Sequence, residues 1–271
     1  MQLQEQSKKR TVSPQFERFV LFLAATFTCY RLVFALFSPT AWHIPDELLL
    51  TVLLVMVVYL WLAETQAISG LFRSEMALRD TQTAVLATLV QTVEAKDQYT
   101  RGHSEQVKRL SIELAKKMGL NKERVDLVAR SAILHDVGKI EIPDAILNNK
   151  EPLTEKEWQI IKKHPTRMAT ILSPLDFLHQ ETHVALFHHE RYDGTGYGVG
   201  LKGADIPIES SIIAVADMFD AMNSDRPYRP KLSKETVLQE LKKSQGTQHA
   251  PAIVTSFLEM LEEQPELWLR S

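Results

Sequence analysis

Apolar positions are unevenly spread along these 271 residues. From Phe19 to Phe37 the chain is apolar apart from Thr26, Thr28, Tyr30 and Arg31, and from Leu48 to Ala63 it carries no charge. The connector between them, Ser38 to Glu47, holds Pro39, Pro45, Asp46 and Glu47 but no Lys or Arg. A helix crossing a bilayer needs about 20 apolar residues. The first run nearly reaches that length. The second is shorter, with Tyr59 and Trp61 able to sit at the interface. The pattern predicts a two-helix membrane hairpin over residues 19–63, preceded by a polar tail, 1–18. Lys8, Lys9, Arg10 and Arg18 precede the hairpin, and Arg73 and Arg79 follow it. The positive-inside tendency then places both termini in the cytoplasm of an inner-membrane protein. Arg31 is read as snorkelling to the far interface.

Beyond Ala63 the pattern becomes that of amphipathic helices. Residues 64–89 contain no proline, with Gly70 the weak point, and Leu71, Leu78 and Val85 recur every seven residues. The repeat is too irregular for a sustained coiled coil. A helical linker is expected there, offering a face for a homodimer or a signalling partner, and a separate globular domain is expected over 90–271. Helical patterns follow over Ser104–Lys117, Lys122–Leu134, Ser210–Met222, Ser233–Lys243 and Ala252–Glu262, and Thr154 with Glu157 reads as a capping box. No stretch alternates long enough to demand a sheet, so the expected fold class is all-α. Gly and Pro gather between Asp193 and Pro207, an irregular loop of a length that often carries function.

Composition narrows the function. A net charge of −3 argues against broad attraction to nucleic acid, and no DNA or RNA duplex is expected as partner. An anionic ligand would need a local positive site, which bound metal ions can supply. The single cysteine, Cys29, excludes an intrachain disulfide and a CxxC zinc site.

Histidines and aspartates carry the candidate chemistry. Of nine histidines, five stand in motif-like surroundings: His103, His135, His164, His188 and His189. Helical neighbours point about 100° apart. His135 and Asp136 can therefore serve one ion together, or the carboxylate can reach across two. His188 and His189 repeat the device with two imidazoles. Asp217 lies in the apolar run from Ile212 to Phe219, where an unpaired carboxylate would be costly. An ion or a hydrogen-bond network would compensate it. Imidazoles and carboxylates without thiolate suit iron, manganese or a similar divalent ion rather than a structural zinc.

These segments, in order, resemble the HD-GYP group of HD-type metal-dependent phosphohydrolases. They are Glu94 to Ser104, His135-Asp136-Val137-Gly138-Lys139, Lys163-His164-Pro165 and His188 to Tyr197. Ile206-Pro207, Ala216-Asp217-Met218-Phe219-Asp220-Ala221 and Arg226-Pro227-Tyr228-Arg229 complete them. The resemblance covers residues 90–260 and implies an HD-type helical domain that hydrolyses cyclic-di-GMP to linear pGpG, with further cleavage to GMP left open. It further implies that His103, His135, Asp136 and Asp217 hold one metal. Asp136 would bridge to a second, held by His164, His188 and His189. A glutamate that helps bind a third metal in some members is here Tyr99, so two divalent ions are expected. Such ions activate water at neutral pH and stabilise charge on phosphate oxygens. Lys139 would be an extra cation for the phosphate, unless it is a surface lysine. Arg226 and Arg229 would contact substrate, unless they form structural salt bridges. Gly194 and Tyr197 of the glycine-rich loop are also expected at the substrate.

Two departures stand out. The family's Gly-Tyr-Pro is here Gly196-Tyr197-Gly198, which loosens the loop without removing a ligand. Gln248-His249-Ala250-Pro251 replaces a common Phe-Asp-Pro form, and His249 is read as non-catalytic. Two alternatives to the cyclic-di-GMP enzyme stay open. One is a catalytically silent interaction module; the other is a phosphohydrolase for another nucleotide.

Overall fold

The computed structural model describes Thr26, Thr28 and residues 46–97, 102–149, 151–225 and 229–269. The chain divides into two compact units, Met1–Gln82 and Thr83–Ser271. Among the described residues there is no strand, only an isolated bridge between Gln245 and His249. The all-helical expectation therefore holds.

The first long element is one unbroken helix, α1, from Asp46 to Lys96. It absorbs the second expected membrane segment and the whole expected linker. Asp46 and Glu47, read as connector, already belong to it. Gly70 does not interrupt it, since a single glycine costs only about 1 kcal/mol in a helix. It is the one described helix long and apolar enough to cross a membrane. The first apolar run, and with it the hairpin, Arg31 and Cys29, lies outside the described residues apart from Thr26 and Thr28, both helical.

Seven longer helices of the second unit follow: α2 (His103–Lys117), α3 (Lys122–Leu134), α4 (Glu155–Ile161), α5 (His164–Leu172), α6 (His179–Leu186), α7 (Ile208–Met222) and α8 (Lys234–Ser244). A last one, α9, spans Pro251–Glu263. Local chemistry sets their starts. The Asn121 side chain accepts the Arg124 N–H at 3.0 Å ahead of α3, and Ser233 accepts the Thr236 N–H at 3.2 Å ahead of α8. Thr154 and Glu157 form the anticipated capping box ahead of α4, and Pro251 opens α9. Each side-chain cap satisfies an amide that the helix cannot, and Pro251 has no N–H to satisfy.

Two apolar clusters hold the unit together. The larger joins α2, α3, α7, α8 and α9 around Leu110, Phe219 and Phe257, all fully buried. Each such side chain contributes about 1.5–3 kcal/mol on burial. The smaller joins the end of α1 (Val90) to Leu134, Val137, Met168 and Leu172. The polar site forms where residues from both sets of helices meet.

Candidate metal centre

Three of the histidines share a local device. His135 follows α3, His164 follows α4 by three residues, and His188 lies two residues past α6. In each, Nδ1 donates to the carbonyl three residues earlier: Ala132 at 2.6 Å, Ile161 at 2.9 Å and Ala185 at 2.6 Å. The last carbonyls of a helix lack partners within it, so each imidazole satisfies one of them. A carbonyl can only accept, which places the proton on Nδ1 and leaves the Nε2 lone pair free. A helix end thus orients each ring and fixes its tautomer, as metal-binding imidazoles require.

His103 opens α2 and uses a carboxylate instead. Its Nδ1 lies 2.7 Å from Asp220 Oδ2, and its Nε2 lies 3.2 Å from Asp217 Oδ1. Burial opposes charge on this ring, but hydrogen bonds to Asp217 and Asp220 outweigh it and raise its pKa to about 9. Asp217 in turn is penalised by burial, yet His103 holds it well below the usual carboxylate range.

Asp136 stands between the groups. Its Oδ2 lies 3.4 Å from His135 Nε2 and 3.7 Å from His103 Nε2, while its Oδ1 lies 3.5 Å from His164 Nε2. Burial works against its charge, but His135, Lys139 and His164 together keep it strongly acidic. Lys139 Nζ lies 2.6 Å from Asp136 Oδ2 and 3.8 Å from Asp97. Burial opposes the Lys139 charge, and the Asp136 and Asp97 carboxylates more than restore it.

Three of the other imidazoles are held neutral. Burial lowers the His164 pKa to about 4 and the His189 pKa to about 3, and lowers that of His188. Neutral imidazole is the ligating form. His164 Nε2 and His188 Nε2 approach to 3.4 Å with both Nδ1 protons directed away, so two lone pairs face each other. His135 Nε2 is buried without a hydrogen-bond partner. An ion in this space would engage these atoms. Three overlapping groups have ligand atoms close enough to share one: His103, His135 and Asp217; His164, His188 and His189; and His135, Asp136 and His188. The residues fit divalent metals.

The glycine-rich loop lies beside the second group. Tyr197 stacks on His189 with centroids 4.6 Å apart, and burial pushes its phenol pKa up. Gly194 adopts φ 81° in a turn closed to Arg191. A Cβ at Gly196 would meet Arg191 N at 2.5 Å and His189 O at 2.6 Å. Only glycine permits that approach. The sequence did not single out Glu190, whose Oε1 accepts the Val199 N–H at 2.6 Å and the Gly200 N–H at 2.9 Å. A Cβ at Gly198 would sit 2.5 Å from this same Oε1. Proline at 198 would restrain φ but press on this carboxylate, the movable end of a side chain. Gly198→Pro should loosen the Glu190 clasp and lower kcat/KM without removing metal, measured by steady-state kinetics and elemental analysis.

The segment at 247–249 is distant in sequence yet adjacent in space. Gln248 O and Thr247 O accept the Tyr192 and Asp193 N–H groups at 3.0 and 2.9 Å. His249 Nε2 lies 3.2 Å from Met218 Sδ. Arg229 pairs with no carboxylate among the described residues. Its guanidinium donates to Ala221 O at 2.8 Å, Pro230 O at 3.0 Å and Met222 O at 3.4 Å, closing the end of α7. Arg226 and Tyr99 lie outside the described residues.

Asp220 was quoted only as part of a motif, and its role becomes visible through His103. Asp220→Ala should weaken metal binding about 10- to 100-fold, the loss typical when an outer partner of a ligating imidazole is removed. Titration with a metal-responsive dye would measure it.

A family model described as HD domain matches residues 87–253. A cyclic di-GMP phosphodiesterase of Thermotoga maritima is 40% identical over 188 residues, covering 69% of this chain and 51% of that protein. A 3′3′-cGAMP-specific phosphodiesterase of Vibrio cholerae is 36% identical over 188 residues, covering 69% of this chain and 36% of that protein. The chain thus spans about half or less of the length of these relatives. The crystal structure of a cyclic GMP-AMP specific phosphodiesterase of V. cholerae matches with a TM-score of 0.51 at 18% identity, covering 67% of this chain and 49% of that one, a likeness of fold. The match to the domain model spans more than half of the sequence and includes every histidine and aspartate of the site: this chain belongs to the HD domain family.

Proposed function

We propose that this chain is a membrane-anchored, two-metal phosphodiesterase that opens a cyclic dinucleotide. One observation carries the reading: the Asp136 carboxylate lies between two ligand groups, with one oxygen toward each. His103, His135, Asp136 and Asp217 would hold one ion. His164, His188 and His189 would hold the other, with Asp136 shared. When bound, such ions supply an activated water and neutralise charge on the phosphate. The mixed imidazole and carboxylate donors favour iron or manganese.

This chain's own residues do the rest. Asp136 and Asp217 bring negative charge that holds cations in a buried site. The helix ends behind His135, His164 and His188 keep those rings from turning. Lys139 secures the Asp136 carboxylate and adds a cation beside the phosphate position. Tyr197 fixes the His189 ring by stacking and, with Gly194, would border the substrate. Arg226 would supply a fork for phosphate or a guanine edge. Arg229 would join it only by giving up its carbonyl partners.

The substrate reading is cyclic-di-GMP, cut to pGpG and then GMP. The relative specific for 3′3′-cGAMP supports a second reading, because a two-metal clamp recognises phosphate rather than base. The proposed organisation is a tail (1–18), a membrane hairpin (19–63), a helical linker (64–89) and a catalytic domain (90–271) facing the cytoplasm. Exposed Leu71, Leu78 and Val85 on α1 would pair two copies through the linker. The full chain, loaded with manganese in detergent, should hydrolyse one of cyclic-di-GMP, 3′3′-cGAMP and cyclic-di-AMP well above the others. No turnover of any of them by a two-metal sample would remove the reading.

A further inference from the structure

We propose that the last turn of α1 positions the metal centre, with Glu94 and Lys96 as the positioning residues. This rests on the two-metal reading above.

The first turn of α2 cannot cap itself. Its N-cap is Gly102, at φ 73° and without a side chain. The missing acceptor comes from another helix. Glu94 Oε2 accepts the Gly102 N–H at 2.9 Å, and Glu94 Oε1 accepts the Ser104 N–H at 3.0 Å. His103 is the residue between those two amides. One half-buried carboxylate on α1 therefore sets the backbone from which the His103 ring reaches Asp217 and Asp136.

Two residues further on, Lys96 Nζ donates to Ile140 O and to Ile142 O, both at 2.6 Å. These carbonyls lie in and just after the 3-10 turn Val137–Glu141, which Asp136 opens. Asn148 Nδ2 returns a bond to Lys96 O at 3.1 Å. Asp97 reaches Lys139 at 3.8 Å, and Lys139 holds Asp136 at 2.6 Å. A single turn of α1 thus holds the backbone of His103, the turn led by Asp136, and the cation bound to Asp136. His164 and His188 instead take their orientation from the ends of α4 and α6. The two halves of the centre therefore have different supports. Loss of the α1 contacts should release the His103 side first, and an input that moves the end of α1 would act there.

The test uses the full chain in detergent, loaded with manganese and read by elemental analysis and electron paramagnetic resonance. Wild type should hold two exchange-coupled ions. Glu94→Ala should bind the first ion about 10- to 100-fold more weakly and show the six-line signal of an isolated manganese ion. Glu94→Gln keeps one good acceptor and should fall between them. Lys96→Met should weaken coupling, and Lys96→Arg, which keeps the donors, should restore it. The melting temperature of the metal-free protein separates positioning from folding. Unchanged coupling and affinity in Glu94→Ala would overturn the proposal, as would loss of both ions in step with a fallen melting temperature in all four variants. A wild-type chain that never holds two ions would overturn the two-metal reading, and this proposal with it.

Discussion

Asp136→Ala is expected to abolish hydrolysis and to cut the metal content of the protein. Asp136 directs one carboxylate oxygen toward each ligand group. Removing it leaves each group with imidazoles and, on one side, Asp217. It also releases Lys139, whose half-buried ammonium would then have Asp97 at 3.8 Å as its nearest carboxylate. Deleting one electrostatic donor from an active site commonly costs about 10²–10³-fold in rate, and this residue would serve two ions at once. The loss should therefore be at least of that order. Asp136→Asn keeps the shape and one good acceptor, so it should retain more metal than alanine but no useful turnover. Elemental analysis and a product assay on the same samples would decide. Wild-type turnover in Asp136→Ala would rule out a shared carboxylate.

Gly138→Ala is expected to be the most damaging single methyl in the catalytic unit. A Cβ at this position would lie 1.9 Å from His164 O and 2.7 Å from Met168 N. Both are backbone atoms of α5, so no side-chain rotation relieves the clash. The 3-10 turn behind Asp136 and the first turn of α5 must separate. Overpacking of a core usually costs about 1–3 kcal/mol, and a collision between two backbones belongs at or above the top of that range. The same separation moves His164 away from Asp136 Oδ1, now 3.5 Å distant, so the three-histidine group should lose affinity as well. Thermal melting with and without metal would show both effects. A variant that melts like wild type and keeps two ions would mean that the turn does not pack on α5.

The histidines and aspartates of the site were legible because their chemistry is written in adjacent pairs, His135-Asp136 and His188-His189. Most long helices were legible as well. Thr154 with Glu157 marks one start, and apolar spacing carries the others. α5 and α6 were not anticipated. They span nine and eight residues, too few for a period of 3.6 to stand out, and His164-Pro165 reads as a motif rather than as a helix start. α1 was anticipated in two pieces because its composition changes near Ala63, whereas its backbone hydrogen bonding does not. Glu94, Asp220 and Glu190 act through contacts across 8 to 117 residues, which no local pattern records. Arg229 was read as a substrate fork, and its guanidinium donates here to the Ala221, Met222 and Pro230 carbonyls, partners that no local pattern announces.

The most direct measurement counts metal and turnover on one sample of the full chain, purified without oxygen and loaded with iron or manganese. The account predicts two ions per chain and hydrolysis of a cyclic dinucleotide to its linear form. A folded chain that holds fewer than two ions, or that holds two and cuts no cyclic dinucleotide, would contradict it.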